Sequence, residues 1–373
     1  MFHTEKIQLS HLKVPLNLGF ADAKVATGKQ SALTHVDLLV VELESDDGFY
    51  GLGFSYTLRA GGTAFFALAQ ELAPMLLESD PTDIESIWDR MAWRTNSLGV
   101  GGLAYQVIAA FDSALWDQKA KRAGVPLAKL WGICRDGVPV YNSGGQYLQA
   151  TIPEMQAAAR DSIAQGIGGI KMKVGQPDWK ADIERIEAML DITAGNVPLM
   201  IDANQQWTRD EAIRFCKTVD HLGLYFIEEP LSARDYEGHG LLCAQFDTPI
   251  ATGEMLTSFD EVSMLLKAKG ADVLQADAPR IGGFTPFLKV MILAEADNLI
   301  LAPHFVMEQH LHVAATYSLG AWVEHFDWFD SVFVEDVDIH DGKIWVSECP
   351  GLGLTLTDEA RLMASSRVEI VNR

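Results

Sequence analysis

Seven short apolar runs from Gly169 onward in this 373-residue chain carry an ionisable side chain at or near their ends. Lys171 and Lys173 sit in GIKMKV, Asp202 in PLMIDAN, Glu228 and Glu229 in LYFIEEP, and Glu254 in PIATGE. Asp277 follows ADVLQA, His304 ends LILAPH, and Glu324 falls in AWVEHF. From Asp202 through Glu228, Glu254, Asp277 and His304 to Glu324 the steps are 26, 26, 23, 27 and 20 residues. One strand–helix unit has about that length, so each unit returns a polar group to the same end of a sheet. Uncompensated charge is costly to bury, which argues against chance placement of the whole set.

Three carboxylates on neighbouring strand ends make a hard, all-oxygen donor set suited to magnesium or manganese. Zinc is disfavoured, because no Cys/His pair has ligand spacing and H-E-x-x-H is absent. Lys171 and Lys173 are two apart and share a strand face. Two ammonium groups facing one interior would repel, and beside a divalent cation that favours a neutral lysine able to act as a base. Asp277 and His304 belong to successive units, and a carboxylate can orient an imidazole and fix its tautomer. They predict a second acid/base opposite the lysines.

These groups need a scaffold. With VPVYNSGG from Val138 the apolar runs number eight, and amphipathic segments such as 152–165, 179–192, 210–222 and 258–269 lie between them. Runs apolar on both faces read as buried parallel strands. Eight of them predict an α/β protein built on a (β/α)₈-type barrel, whose active sites form at the carboxyl ends of the strands; a doubly wound open sheet is the alternative.

The first 125 residues differ. Val36–Leu43 and Phe49–Tyr56 flank an Asp47-Gly48 turn and predict a hairpin. Helices are predicted over 63–78 with a break at Pro74, over 83–94 with Thr82 as cap, and over 103–123 with Gly124 as the stop. This is an α+β unit. The tail from Asp327, with a turn at Asp341-Gly342, is too strand-like for a barrel helix and is expected to pack back on the first unit. The division is therefore 1–125, 126–325 and 326–373.

Composition narrows the function classes. With 29 Lys+Arg against 51 Asp+Glu the net charge is −22. Such a chain repels polyanions, so neither nucleic acid nor an anionic membrane is an expected partner. The N-terminus is expected to be neither a signal peptide nor a membrane span. The four widely spaced cysteines predict reduced thiols and a cytoplasmic protein. Walker, G-x-G-x-x-G and G-x-S-x-G motifs are absent.

Taken in order, K-M-K at 171–173, IDANQQW, IEEP, TGE, QADAPRIGG, APH and WVEHF resemble the enolase superfamily, mandelate racemase subgroup, over essentially the whole chain. The resemblance implies a (β/α)₇β barrel, TIM-like, under an α+β capping domain. It implies that Asp202, Glu228 and Glu254 hold one magnesium ion per subunit, selecting Glu228 over Glu229. Lys173 would be one base, modulated by Lys171, and His304, oriented by Asp277, the other. Glu324 would hydrogen-bond the enediolate and Asn204 would contact substrate. Two cap loops, 16–30 and 54–63, would set specificity through Asp22, Lys24 and Arg59. A diacid needs a cation at its far end, and Arg59 could clamp it.

The implied activity is dehydration of an acid sugar, of the galactarate or L-talarate type, to a 2-keto-3-deoxy acid. Epimerisation, another acid sugar, or a noncatalytic sugar-acid binder are the alternatives. A homo-oligomer is also implied.

Overall fold

The N-terminal segment, which the sequence left unassigned, is a strand of 17 residues, β1 (Thr4–Phe20). It lies inside a four-stranded antiparallel sheet with β2 (Leu33–Ser45) and β3 (Tyr50–Leu58). The computed structural model describes residues 2–20, 22–193 and 195–372. Ala21, within the predicted loop 16–30, lies outside them. That loop is also less of a loop than expected, since β1 reaches Phe20 and the short helix α1 (Ala23–Ala26) follows.

Strand parity explains why VDLLVVEL is apolar without interruption. Leu39, Val41 and Leu43 join Ile7 and Leu9 in a core against the cap helices α2 (Gly62–Leu72), α3 (Pro74–Leu77), α4 (Ile84–Thr95) and α5 (Gly102–Ala123). Val36, Leu38 and Val40 join Leu12 and Val14 on the other face, against Phe305, Phe329 and Val332. Both faces are buried, so period-2 alternation vanishes.

The sheet's edge strand β3 is closed by α5. Leu52 N–H donates to Asp117 Oδ2 at 2.7 Å and Phe54 N–H to Ser113 Oγ at 3.1 Å. The helix can come this close because Gly51 and Gly53 lack side chains: a Cβ at either would sit 2.2–2.3 Å from α5 backbone atoms. Pro74 divides the 63–78 helix as expected, and Gly124 ends α5 in the left-handed region at φ 70°. Thr82 does not cap α4. Its hydroxyl donates to Asp80 Oδ1 instead, and Asp83 occupies the cap position.

All eight predicted runs are strands: β4 (Gly137–Asn142), β5 (Gly169–Lys173), β6 (Leu199–Asp202), β7 (Ile227–Glu228), β8 (Ile250–Thr252), β9 (Val273–Leu274), β10 (Ile300–Leu301) and β11 (Val323–His325). β4 to β10 pair in parallel in chain order, β11 pairs β4, and Ala321 bridges in parallel to Leu301 of β10. The ring of eight therefore meets itself.

Beyond the barrel, β12 (Asp338–His340) and β13 (Lys343–Trp345) form a hairpin on β4, with Asp341 and Gly342 both at positive φ in the turn. The last strand, β14 (Ala364–Val371), pairs antiparallel with β1.

Candidate active site

The barrel interior has an apolar floor. Tyr141, Met200, Phe226, Ala251, Val273 and Ala302 pack there with Trp322. Gly169 makes room for them, since a Cβ on it would meet Tyr141, Trp322 and Met200 at 2.9–3.2 Å. Two residues further along a strand the next side chain points to the same face. Two past Met200, Phe226, Ala302 and Trp322 come Asp202, Glu228, His304 and Glu324. The spacing seen in the sequence is thus one layer of polar groups standing on a layer of plugs, at the mouth facing the cap.

Around that mouth, Lys173 ends β5, Asp202 ends β6, Glu228 ends β7 and Glu254 follows β8, in neighbouring places. Asp277 and His304 follow β9 and β10. Between β5 and β10 lie four strands on one side of the ring and two on the other. Lys173 and His304 therefore rise from opposing arcs, with the acids between them.

Lys171 Nζ lies 2.7 Å from Glu228 Oε2 and 2.6 Å from Glu324 Oε1, and Lys173 Nζ contacts Asp202 Oδ2. The expected neutral lysine depends on a divalent cation beside the pair; with carboxylates alone as neighbours the balance is different. Burial disfavours each charge, but Glu228 and Glu324 around Lys171, and Asp202 beside Lys173, more than offset it and hold both above the usual lysine value. Attraction from carboxylates on facing strands outweighs the repulsion within the pair.

Glu324 Oε1 also accepts from Ser143 Oγ at 2.6 Å, and Oε2 from Phe305 N–H at 2.7 Å. Burial would raise its pKa, but Lys171, His304 and Ser143 hold it at about 2. Glu254, despite burial, is held far below the usual carboxylate range by His304, Arg280 and Lys173. Glu228 is pushed up by burial and by the Asp202 charge.

Among the described residues no three acidic, histidine or cysteine side chains yet converge as a metal cage. The donor chemistry nevertheless suits a hard cation. Glu228 is fully buried, and its Oε1 has no hydrogen-bond partner. Such an orphaned anionic oxygen beside two more carboxylates is what a divalent ion satisfies. Glu229 is in the same state, with an orphan Oε1 and Gln205 Nε2 on its Oε2 at 2.9 Å, so hydrogen bonding does not separate the two glutamates.

His304 Nδ1 lies 2.9 Å from Asp277 Oδ2, while Nε2 faces the cavity 3.6 Å from Glu254 Oε2. Asp277 is fully buried, and its carboxyl stays below the usual range because the His304 hydrogen bond and charge overcome burial. Asn204, at φ 46°, donates its N–H to Asp202 Oδ1 at 2.7 Å and leaves its buried side-chain Oδ1 without a partner in the cavity wall.

The cavity, about 620 Å³, opens between barrel and cap. Asp22, Lys24 and Arg59 line it from the cap. Arg59 is the first residue past β3, at φ 65°; its Nε donates to Ser31 O at 2.9 Å and its Nη2 lies 3.3 Å from Asp22 Oδ2. Asp22 also caps α1 by accepting from Val25 N–H at 2.9 Å. The predicted loop 54–63 shrinks to 59–61, because β3 runs to Leu58 and α2 begins at Gly62.

Sequence reasoning missed three groups. Gln275 Nε2 donates to Glu228 Oε2 at 2.7 Å, and its place two before Asp277, on the same strand face, could have found it. Ser143 on Glu324 likewise stands two past Tyr141 of the floor. Tyr56, a cap residue, reaches Asp277.

Residues 154–360 match the family model "Enolase C-terminal domain-like", and residues 22–132 match "Mandelate racemase / muconate lactonizing enzyme, N-terminal domain". The chain is 49% identical over 357 residues to the L-talarate/galactarate dehydratase of Salmonella typhimurium, covering 96% of this chain and 90% of that one. A crystal structure of L-talarate dehydratase from Polaromonas sp. JS666, complexed with Mg and L-glucarate, superposes with a TM-score of 0.98 at 49% identity and covers all of both chains. The 3,6-anhydro-alpha-L-galactonate cycloisomerase of Streptomyces coelicolor is 34% identical over 95% of this chain and 97% of its own.

Proposed function

The chain belongs to the mandelate racemase/muconate lactonizing enzyme family of the enolase superfamily, and from that premise we propose that it is a magnesium-dependent acid-sugar dehydratase. It is a hydro-lyase that takes a diacid of the galactarate or L-talarate type to a 2-keto-3-deoxy acid. The observation that carries this reading is the pair of proton carriers, Lys173 and His304, on opposing arcs of one mouth with three carboxylates between them.

Asp202, Glu228 and Glu254 would hold the magnesium ion, which when bound withdraws charge from the substrate carboxylate and acidifies the adjacent carbon. Lys171, between Glu228 and Glu324, places its ammonium where a substrate carboxylate can share it. Lys173 Nζ serves the α-proton on one face. His304 donates Nδ1–H to Asp277, so Nε2 is the free nitrogen toward the cavity and serves the other face. His304 Nε2 can give a proton only once it carries one, either taken from C2 itself or already held as imidazolium when Lys173 takes the C2 proton; that proton leaves with the C3 hydroxyl as water, and the resulting enol becomes the ketone. The cap and the apolar floor exclude water while this occurs.

A base on each face also permits epimerisation at C2, when the opposite carrier returns the proton before the hydroxyl leaves. Arg59 and Lys24 are the cations for the distal carboxylate, with Asp22 setting the Arg59 position.

We place the protein in the cytoplasm, as a homo-oligomer. The four free cysteines suit a reducing compartment. No helix among the described residues is long and apolar enough to cross a membrane. Trp93, Leu98 and Val100 offer exposed apolar surface for self-association.

The test is a panel of mono- and diacid sugars with magnesium, read by semicarbazide trapping of 2-keto-3-deoxy acids. Ketoacid from galactarate or L-talarate supports the reading. Failure of every diacid overturns it, and C2 deuterium incorporation without ketoacid makes the protein an epimerase.

A further inference from the structure

Tyr56 lies near the end of β3, in the cap, yet its hydroxyl is buried among barrel side chains. It lies 2.6 Å from Asp277 Oδ2, 3.3 Å from His304 Nδ1 and 3.2 Å from Arg280 Nε. We infer that Tyr56 is a positioning residue for the His304 base: its hydroxyl locks the Asp277–His304 pair and keeps Arg280 off it. The inference rests on the reading of His304 as a base.

Donor counting fixes the arrangement. Arg280 Nε–H can only donate, so the phenol oxygen accepts there. The single phenol proton then goes to the Asp277 carboxylate, an acceptor. Oδ1 of the same carboxylate is taken by Arg280 N–H at 3.0 Å, in the turn that begins with Asp277. Oδ2 is thus shared by two donors, Tyr56 O–H and His304 Nδ1–H. Both must be in place for the imidazole to keep its proton on Nδ1 and a bare Nε2 toward the cavity.

Arg280 Nε pairs with Asp277 Oδ2 at 3.9 Å, beyond hydrogen-bond reach and one small movement from a direct hydrogen bond. The phenol oxygen stands between them as the alternative acceptor, and Arg280 Nη1 is tied to Glu254 O at 3.0 Å. Without the hydroxyl, Nε loses its acceptor and Oδ2 loses a donor. Each lack is met by their pairing, which draws the carboxylate away from His304. The Tyr56 ring also packs edge-on against Phe305, the residue after His304, with centroids 4.8 Å apart at 87°. The cap therefore seats the base directly, beyond covering the substrate.

Tyr56→Phe keeps the ring and removes only the hydroxyl. In the magnesium-loaded protein the substitution should lower kcat for dehydration about ten- to a hundredfold, a usual range for a lost orienting partner. KM should stay within about twofold, because the hydroxyl serves Asp277 and His304 and the cavity wall keeps its shape. The second readout is independent of turnover. In ¹⁵N-histidine-labelled protein at about pH 9, where free imidazole is neutral, His304 should be the Nδ1–H tautomer in the parent. The variant should show a mixture, with His304→Asn used to assign the signals.

Unchanged kcat in an active background overturns the inference, as does an Nε2–H tautomer in the parent. If the parent processes no acid sugar, the dehydratase reading fails, and the tautomer measurement still decides the role of Tyr56. If the variant does not fold, an Nε2–H tautomer of His304 in the parent still overturns the inference.

Discussion

Gln275 donates its amide to Glu228 Oε2 at 2.7 Å, the same oxygen that Lys171 approaches at 2.7 Å. One oxygen of this buried carboxylate is therefore held by two donors and the other, Oε1, has none. The carboxylate is pre-oriented with its free oxygen available. Glu228→Gln should weaken magnesium binding at least about tenfold. Gln275→Leu, which loosens the orientation alone, should cost about as much. Titration calorimetry with magnesium measures both. Unchanged affinity in Glu228→Gln would remove Glu228 from the ligand set.

Lys173 and His304 rise from opposing arcs, and neither belongs to the proposed ligand set. Lys173→Ala and His304→Asn should each reduce dehydration by about 10²–10⁴-fold, the usual contribution of a positioned acid or base, while magnesium still binds. His304→Asn keeps the base on the other face, so C2 deuterium exchange driven by Lys173 should survive with the epimer whose α-proton faces it. Loss of magnesium affinity in either variant with the fold intact would contradict the assigned roles.

The layer of polar groups was readable in the sequence because a parallel strand places residues i and i+2 on one face, and Asp202, Glu228, His304 and Glu324 each stand two past a plug such as Met200 or Phe226. The same rule would have yielded Gln275. Tyr56 could not be found this way. In sequence it is one more aromatic in a β3 buried on the sheet's inner face, and only the docking of the cap brings it to Asp277. β1 escaped because Lys6, Gln8, Ser10 and Lys13 dilute its apolar content and its core contacts change face between Leu9 and Leu12. The pairing of the lysines with acids on β6, β7 and β11 was not legible, because only the two like charges on one strand are adjacent in sequence.

Arg59 and Asp22 pair at 3.3 Å, so the guanidinium is held on the cap side of the cavity rather than free in solvent. A charged hydrogen bond to the distal carboxylate contributes about 1.5–3 kcal/mol. Arg59→Ala should therefore raise KM for diacid sugars about ten- to a hundredfold and leave monoacid sugars nearly unaffected. Steady-state kinetics on a matched diacid and monoacid decide it. An equal loss on both substrates would assign Arg59 to cap stability instead of specificity.

His312 links fold stability to pH at a site remote from the chemistry. Its Nδ1 accepts from Ala128 N–H at 3.3 Å and its Nε2 donates to Leu352 O at 3.2 Å, so the buried ring is fixed as the neutral tautomer. Burial lowers its pKa from 6.5 to about 4, against a smaller opposing effect of the Leu352 carbonyl. The unfolded chain takes up this proton near pH 6.5 and the folded chain only near 4. The stabilisation is therefore complete above the unfolded value and is lost as pH falls through that window, by on the order of 3 kcal/mol in total. His312→Gln can keep both hydrogen bonds without a titrating ring. Urea denaturation at neutral pH and near pH 4.5 should show a smaller acid-induced loss in the variant than in the parent, and equal losses would show that this imidazole is not neutral in the native state.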